Sequence, residues 1–148
     1  MATASVSPTT AALPTRLAAG VAGGIVGGIM FGILMQTMGM LPMVAMLVGS
    51  ESVAVGWLVH LAISAFIGAT YALLFARRAT NLATAAGIGA GYGLVWWLLG
   101  ALLLMPAKLG MPLFTLNTMA WQSLMGHLLY GLILGVVYAL VRPRLHRG

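Results

Sequence analysis

Two histidines stand inside apolar stretches with almost no charge around them. His60-Leu61 returns 67 residues later as His127-Leu128. An ionisable side chain inside an apolar span is costly, and its default reading is a functional one. Three chemistries suit a matched imidazole pair. A neutral ring can hydrogen-bond across helices as a structural clasp. It titrates near neutral pH, so it can sense or pass protons. Two inward imidazoles on facing helices can also ligate haem b. Methionine is the second candidate type. Met38, Met40, Met43 and Met46 cluster with Met35 just before them, and Met105 repeats Met38. Thioethers select Cu(I), but methionine is equally a flexible apolar filler. The third candidate is Ser64, four residues after His60, as a nucleophile beside its base. The second repeat has Gly131 there, and no carboxylate lies inside any apolar stretch to orient a ring. There is no phosphate-binding loop, zinc spacing or strand-linked dinucleotide fingerprint. The expectation is a chain without catalytic activity or resident cofactor. Haem b and copper are the lesser alternatives, and His60 and His127 form a buried polar pair.

The elements that must position these rings follow from composition. The chain is 61% hydrophobic and 5% charged, against about a quarter charged in soluble domains. Its mean hydropathy is +1.07. Charge is missing from 17–50, 52–76, 79–107 and 109–141. Each stretch exceeds the roughly 20 residues that cross a bilayer and none holds two crossings. The fold class expected is therefore an all-α membrane protein with four transmembrane helices. There are no cysteines, which excludes disulfides and thiolate metal sites. No basic n-region precedes the apolar run after Arg16, so no cleavable signal is expected.

The net charge of +6 is distributed by topology. Arg16, Arg77, Arg78, Arg142, Arg144 and Arg147 fall at one end of the spans, and only Lys108 and the single acid Glu51 fall at the other. By the positive-inside rule both termini are cytoplasmic. The basic residues are read as contacts with anionic headgroups rather than nucleic acid. The partners expected are the lipid bilayer and a homo-oligomer or larger membrane complex.

The period extends beyond the histidines. Gly68 returns as Gly135, Tyr71-Ala72-Leu73 as Tyr138-Ala139-Leu140, Gly20 as Gly87 and Gly24 as Gly91. Two tandem helical hairpins with a 67-residue period follow, related by a pseudo-twofold axis along the membrane normal. The division expected is a disordered cytoplasmic tail at 1–16, a first hairpin at 17–80, a second at 81–142 and a basic tail at 143–148. The first span is expected to stop at Pro42 and the third at Pro106. Ser50, Glu51 and Ser52 are cap-type residues opening the second span, and Asn117, one period after Ser50, is an expected cap of the fourth.

Apolar side chains do not drive helix association in lipid, so small residues mark the packing faces. Gly20, Gly24, Gly28 and Gly32 form one such ridge and Gly87 with Gly91 another. Gly68 and Gly135 sit on the same four-residue stripes as the histidines, which turns both rings inward. Trp57 and Trp121 fit one interfacial aromatic belt, and Tyr71 and Tyr138 the other.

These residues also carry a resemblance. His60 with Gly68 and Tyr71, Gly87 with Gly91, Trp96-Trp97, Pro106, Pro112-Leu113-Phe114 and Gly126-His127 with Tyr130 resemble the YagU-like family of bacterial inner-membrane proteins, over roughly residues 55–142. The resemblance implies a small helical fold in the bacterial cytoplasmic membrane and no defined reaction. A glycine-rich first span and a short first outer loop depart from the family pattern. The function expected is a small transport, channel-like or regulatory membrane protein built around the histidine pair. A haem- or metal-binding subunit and a purely structural subunit are the alternatives.

Overall fold

The computed structural model describes residues 13–142; the predicted tail segments 1–12 and 143–148 lie outside them. Helix α1 runs Leu13–Thr37, α2 Leu41–Ala45, α3 Val53–Phe75, α4 Leu82–Trp96, α5 Met105–Leu109 and α6 Thr118–Val141. A 3-10 turn, Met46–Val48, follows α2, and a π-helical segment, Trp97–Leu104, joins α4 to α5. No strand occurs among the described residues. Four spans are long and apolar enough to cross a membrane: Leu13–Thr37, Val53–Phe75, Leu82–Leu109 and Thr118–Val141. The chain is an all-α, multi-pass membrane protein.

Element boundaries correct several expectations. Leu13–Arg16, expected in the tail, is helical and belongs to the first span. The first span ends at Thr37 rather than at Pro42; Gly39, with φ +68°, turns the chain, and Pro42 then lies in the first turn of α2. A positive φ is inexpensive for glycine alone. Of the three expected cap-type residues, Ser52 caps α3, its hydroxyl accepting from the Val55 amide. Asn117 caps α6 as expected, and Asn81 caps α4. The third span continues through Pro106 to Leu109. Pro106 has no amide hydrogen to give the helix. The Leu102 carbonyl accepts from the Phe114 amide at 2.9 Å, which ties the following loop to the end of the π segment.

Glycine contacts set the bundle. Gly20 and Gly24 bring α1 against Gly68 and Ser64 of α3, so closely that a Cβ at any of these glycines would overlap a backbone carbonyl. Gly23 and Gly27, on a second face of α1, do the same against Leu134 and Tyr130 of α6. In the second hairpin, Gly89 packs on Gly131, Gly93 on the His127 carbonyl, and Gly135 on Ala85. Gly87 and Gly91 do not pack at all: both are exposed, with open space where a Cβ would stand. This corrects the predicted ridge. Along the second helices of the hairpins the packing contacts follow the 67-residue period. Along the first helices they are shifted to 65: Gly20 corresponds to Ala85, Gly24 to Gly89 and Gly28 to Gly93. Two residues rotate a helix face by about 200°, which turns Gly87 and Gly91 outward.

The same shift breaks the expected twofold. Where α1 presents Gly23 and Gly27 to α6, the shifted positions on α4 hold Ile88 and Tyr92. The Tyr92 ring stands against Tyr71 and Phe75 of α3, with centroids 5.7 and 5.3 Å away. Its hydroxyl meets that of Thr70. Bulk thus holds α4 off α3 where glycine lets α6 close on α1. The helices run in the order α3, α1, α6, α4, and α3 and α4 barely touch. Tyr71 and Tyr138, predicted for the interfacial belt, are 0% exposed and pack edge to face 5.4 Å apart in the core. Tyr71 donates to the Ala85 carbonyl at 2.7 Å. Arg142 closes the arginine end by donating to the carbonyls of Ala76 and Ala79 at 3.0 and 2.7 Å. The first bond occupies an acceptor at the end of α3 and the second one in the turn before α4.

Candidate functional site

The separation of α3 from α4 widens toward the Lys108 end into a cavity of about 770 Å³. Ligand sites are commonly about 300–1,000 Å³, largely apolar, with a few placed polar groups. Phe31 and Met35 of α1, His60 of α3 and His127 of α6 contribute to its deep side. Ile63 and Phe66 of α3 face Trp96, Gly100, Ala101 and Leu104 across it. Met40 before α2, Met43 and Val44 of α2 and Lys108 of α5 close the loop end. Ile63, Phe66 and Leu104, which line it, are also exposed, at 40, 60 and 57%. The mouth therefore opens sideways, where acyl chains would lie.

The π segment supplies one wall. Its i→i+5 bonding widens the helix, a local feature often found at functional sites. Trp97, at its start, is buried and donates to the Ala120 carbonyl of α6 at 3.0 Å. Trp96, one residue earlier, lines the cavity, and its buried indole nitrogen has no hydrogen-bond partner. Buried donors are ordinarily satisfied, so this one calls for an acceptor.

Both histidines reach the cavity, arranged around a third residue. The Phe31 ring sits edge-on to His60 at 5.4 Å and to His127 at 4.8 Å between centroids. Each imidazole is anchored on a backbone carbonyl. His60 Nε2 lies 2.8 Å from the Gly28 carbonyl, and His127 Nδ1 2.8 Å from that of Ser123. A carbonyl only accepts, so each anchored nitrogen carries the hydrogen, and a neutral ring keeps its other nitrogen as an acceptor. The site thus offers two imidazole lone pairs, at His60 Nδ1 and His127 Nε2. The rings are tied to backbone rather than to each other.

Ser64 does not serve His60 as a nucleophile serves its base. Its hydroxyl donates to the His60 carbonyl at 2.7 Å, a local bond within α3. Its own carbonyl accepts from Tyr130 at 2.6 Å, which ties α6 to α3 over the glycine face of α1. Of the predicted packing glycines, Gly20, Gly24, Gly28, Gly32, Gly68 and Gly135 stand at helix contacts, and Gly32 makes room for the Trp57 ring. Trp57 donates to Gln36 Oε1 at 2.7 Å.

Phe31, Trp96, Tyr130 and Lys108 escaped sequence reasoning as site residues. For two of them a signal exists. Phe31 follows the doubled glycine face of α1 by one turn, and Lys108 is the only cation away from the arginine end. No family model, curated protein or solved structure matches this chain.

Proposed function

We propose that this chain is a small integral membrane protein that binds an apolar, membrane-resident molecule in the side-opening cavity, as part of a transport or regulatory role. The observation that carries the reading is the cavity itself, apolar and open toward lipid. Two polar positions accompany it: the lone pairs of His60 and His127. Six methionines, Met35, Met40, Met43, Met105, Met111 and Met119, line it. Thioether walls adapt to varied apolar shapes, which suits a ligand drawn from the bilayer. No catalytic step is part of this reading.

A bis-imidazole haem fits these residues poorly, because Phe31 packs against both rings and would have to leave. Copper would draw on the same thioethers. We further propose placement in a bacterial cytoplasmic membrane with the arginine end inward, kinship with the YagU-like proteins, and self-association if a conducting path is to form.

The test uses tryptophan quenching. With Trp57, Trp97 and Trp121 replaced by phenylalanine, Trp96 reports contact with a brominated acyl chain in nanodiscs. Saturable quenching that Gly100→Leu and Ala101→Phe both remove supports the cavity as a binding site. Quenching that is non-saturable and indifferent to both filling substitutions overturns it.

A further inference from the structure

The loop end of the cavity differs from the rest of its lining. Among the described residues, Lys108 is the one charged side chain that lines it. It is also the only cation outside the arginine end. The sole carboxylate side chain in the sequence, Glu51, is not among the lining residues. Thr115 and Asn117 share this end. The Asn117 side-chain oxygen is committed to the Ala120 amide at 2.9 Å, which leaves its amide N–H groups as donors. Lys108 is exposed and sits in the last turn of the third span, the level at which a headgroup meets water. From this rim the cavity descends along methionines and Trp96 to the buried Phe31.

The geometry points to a single-chain amphiphile with a terminal carboxylate, a long-chain fatty acid, as the occupant. Its head would pair with the Lys108 ammonium and its chain would run toward Phe31. Charge complementarity selects the head: one compact ammonium matches one carboxylate, and Asn117 adds neutral donors beside it. Access selects the chain: the mouth between Ile63, Phe66 and Leu104 faces the bilayer, so a molecule already dissolved there can enter sideways without crossing water. The imidazole lone pairs lie deep and accept only, so they would not hold a carboxylate. The anionic end therefore belongs at the rim and not at the histidines. This inference rests on the cavity reading above and names its ligand class.

The experiment compares two probes of equal chain on the Trp96-only protein in nanodiscs of uncharged lipid: 9,10-dibromostearate and 9,10-dibromostearyl alcohol. The expected result is saturable quenching by both, with the carboxylate at least tenfold tighter. Lys108→Gln should reduce the carboxylate to the level of the alcohol and leave the alcohol unchanged. Lys108→Arg should restore most of the difference. Equal affinity of the two probes, or no effect of Lys108→Gln, overturns the headgroup assignment while the cavity reading stands. Absence of saturable quenching by either probe overturns the cavity reading itself. Lys108 is exposed and lies outside the glycine contacts, so its substitution leaves the fold in place; circular dichroism of each variant verifies this.

Discussion

Alanine at Gly93 and alanine at Gly91 should act oppositely, although two residues separate them on one helix. A Cβ at Gly93 would stand 3.0 Å from the His127 carbonyl carbon, closer still to its oxygen, and 3.5 Å from Gly131 Cα. Backbone cannot swing aside as a side-chain tip can. To restore van der Waals spacing, α4 must back away from α6 by on the order of 1 Å, and a gap of that size forfeits a quarter to a half of each contact's attraction. Overpacking of this kind costs about 1–3 kcal/mol. Taking about 2 kcal/mol, the unfolding equilibrium shifts by roughly 30-fold. Gly91 is exposed with nothing within 4 Å of the added methyl. Alanine there meets only the helix, where it is favoured over glycine by up to about 1 kcal/mol. Reversible unfolding in mixed dodecylmaltoside and SDS micelles, followed by circular dichroism, measures both variants. The pair should fall on opposite sides of the parent, with Gly93→Ala unfolding at lower SDS fraction. Equal destabilisation, or the reverse order, would refute the packing register of α4.

Other outcomes follow from single contacts. Tyr130→Phe removes the donor to the Ser64 carbonyl. In the same micelles it should cost about 0.6 kcal/mol, and at most about 1.7, as interhelical hydrogen bonds in membranes do; no change would mean that the bond between α6 and α3 contributes nothing. Arg142→Ala withdraws two bonds from the carbonyls of Ala76 and Ala79. Amide hydrogen exchange should then quicken at residues 76–80 and stay unchanged at Gly93–Trp97, while Arg142→Lys recovers part of the protection. The Phe114 amide donates to the Leu102 carbonyl, so it should exchange more slowly than the neighbouring loop amides of Leu113 and Leu116. Equal exchange at all three would break the link between Leu102 and the loop.

The four spans were legible because hydropathy measures transfer into lipid, and the glycine ridge of α1 because close backbone approach demands small residues. The register of α4 was not. Gly87 and Gly91 lie on one face and Gly89 and Gly93 on the opposite one. Both faces read as GxxxG, and only three-dimensional packing chooses between them. Tyr71 and Tyr138 misled for a related reason. An aromatic residue near a helix end suits an interface equally with a core, and lipid is as apolar as protein interior, so hydropathy cannot separate the two. The cavity was hidden because it arises from what two helices fail to do. Ile88 and Tyr92 prevent a contact whose absence no local pattern records. The histidines were found by their cost in a membrane, but Phe31, which unites them, has the residue type of any apolar filler.

Intermolecular nuclear Overhauser effects between acyl-chain methylene protons and aromatic ring protons test the cavity most directly, with the protein held in isotropic bicelles. Phe31 is 5% exposed and Trp96 is half-buried, so neither ring belongs to the outer lipid-facing surface. Chain-to-ring effects are expected at Trp96 and Phe31, and Ala101→Phe should abolish them. Effects confined to exposed aromatic rings outside the cavity, such as Trp121, with none at Trp96 or Phe31, would contradict the cavity reading.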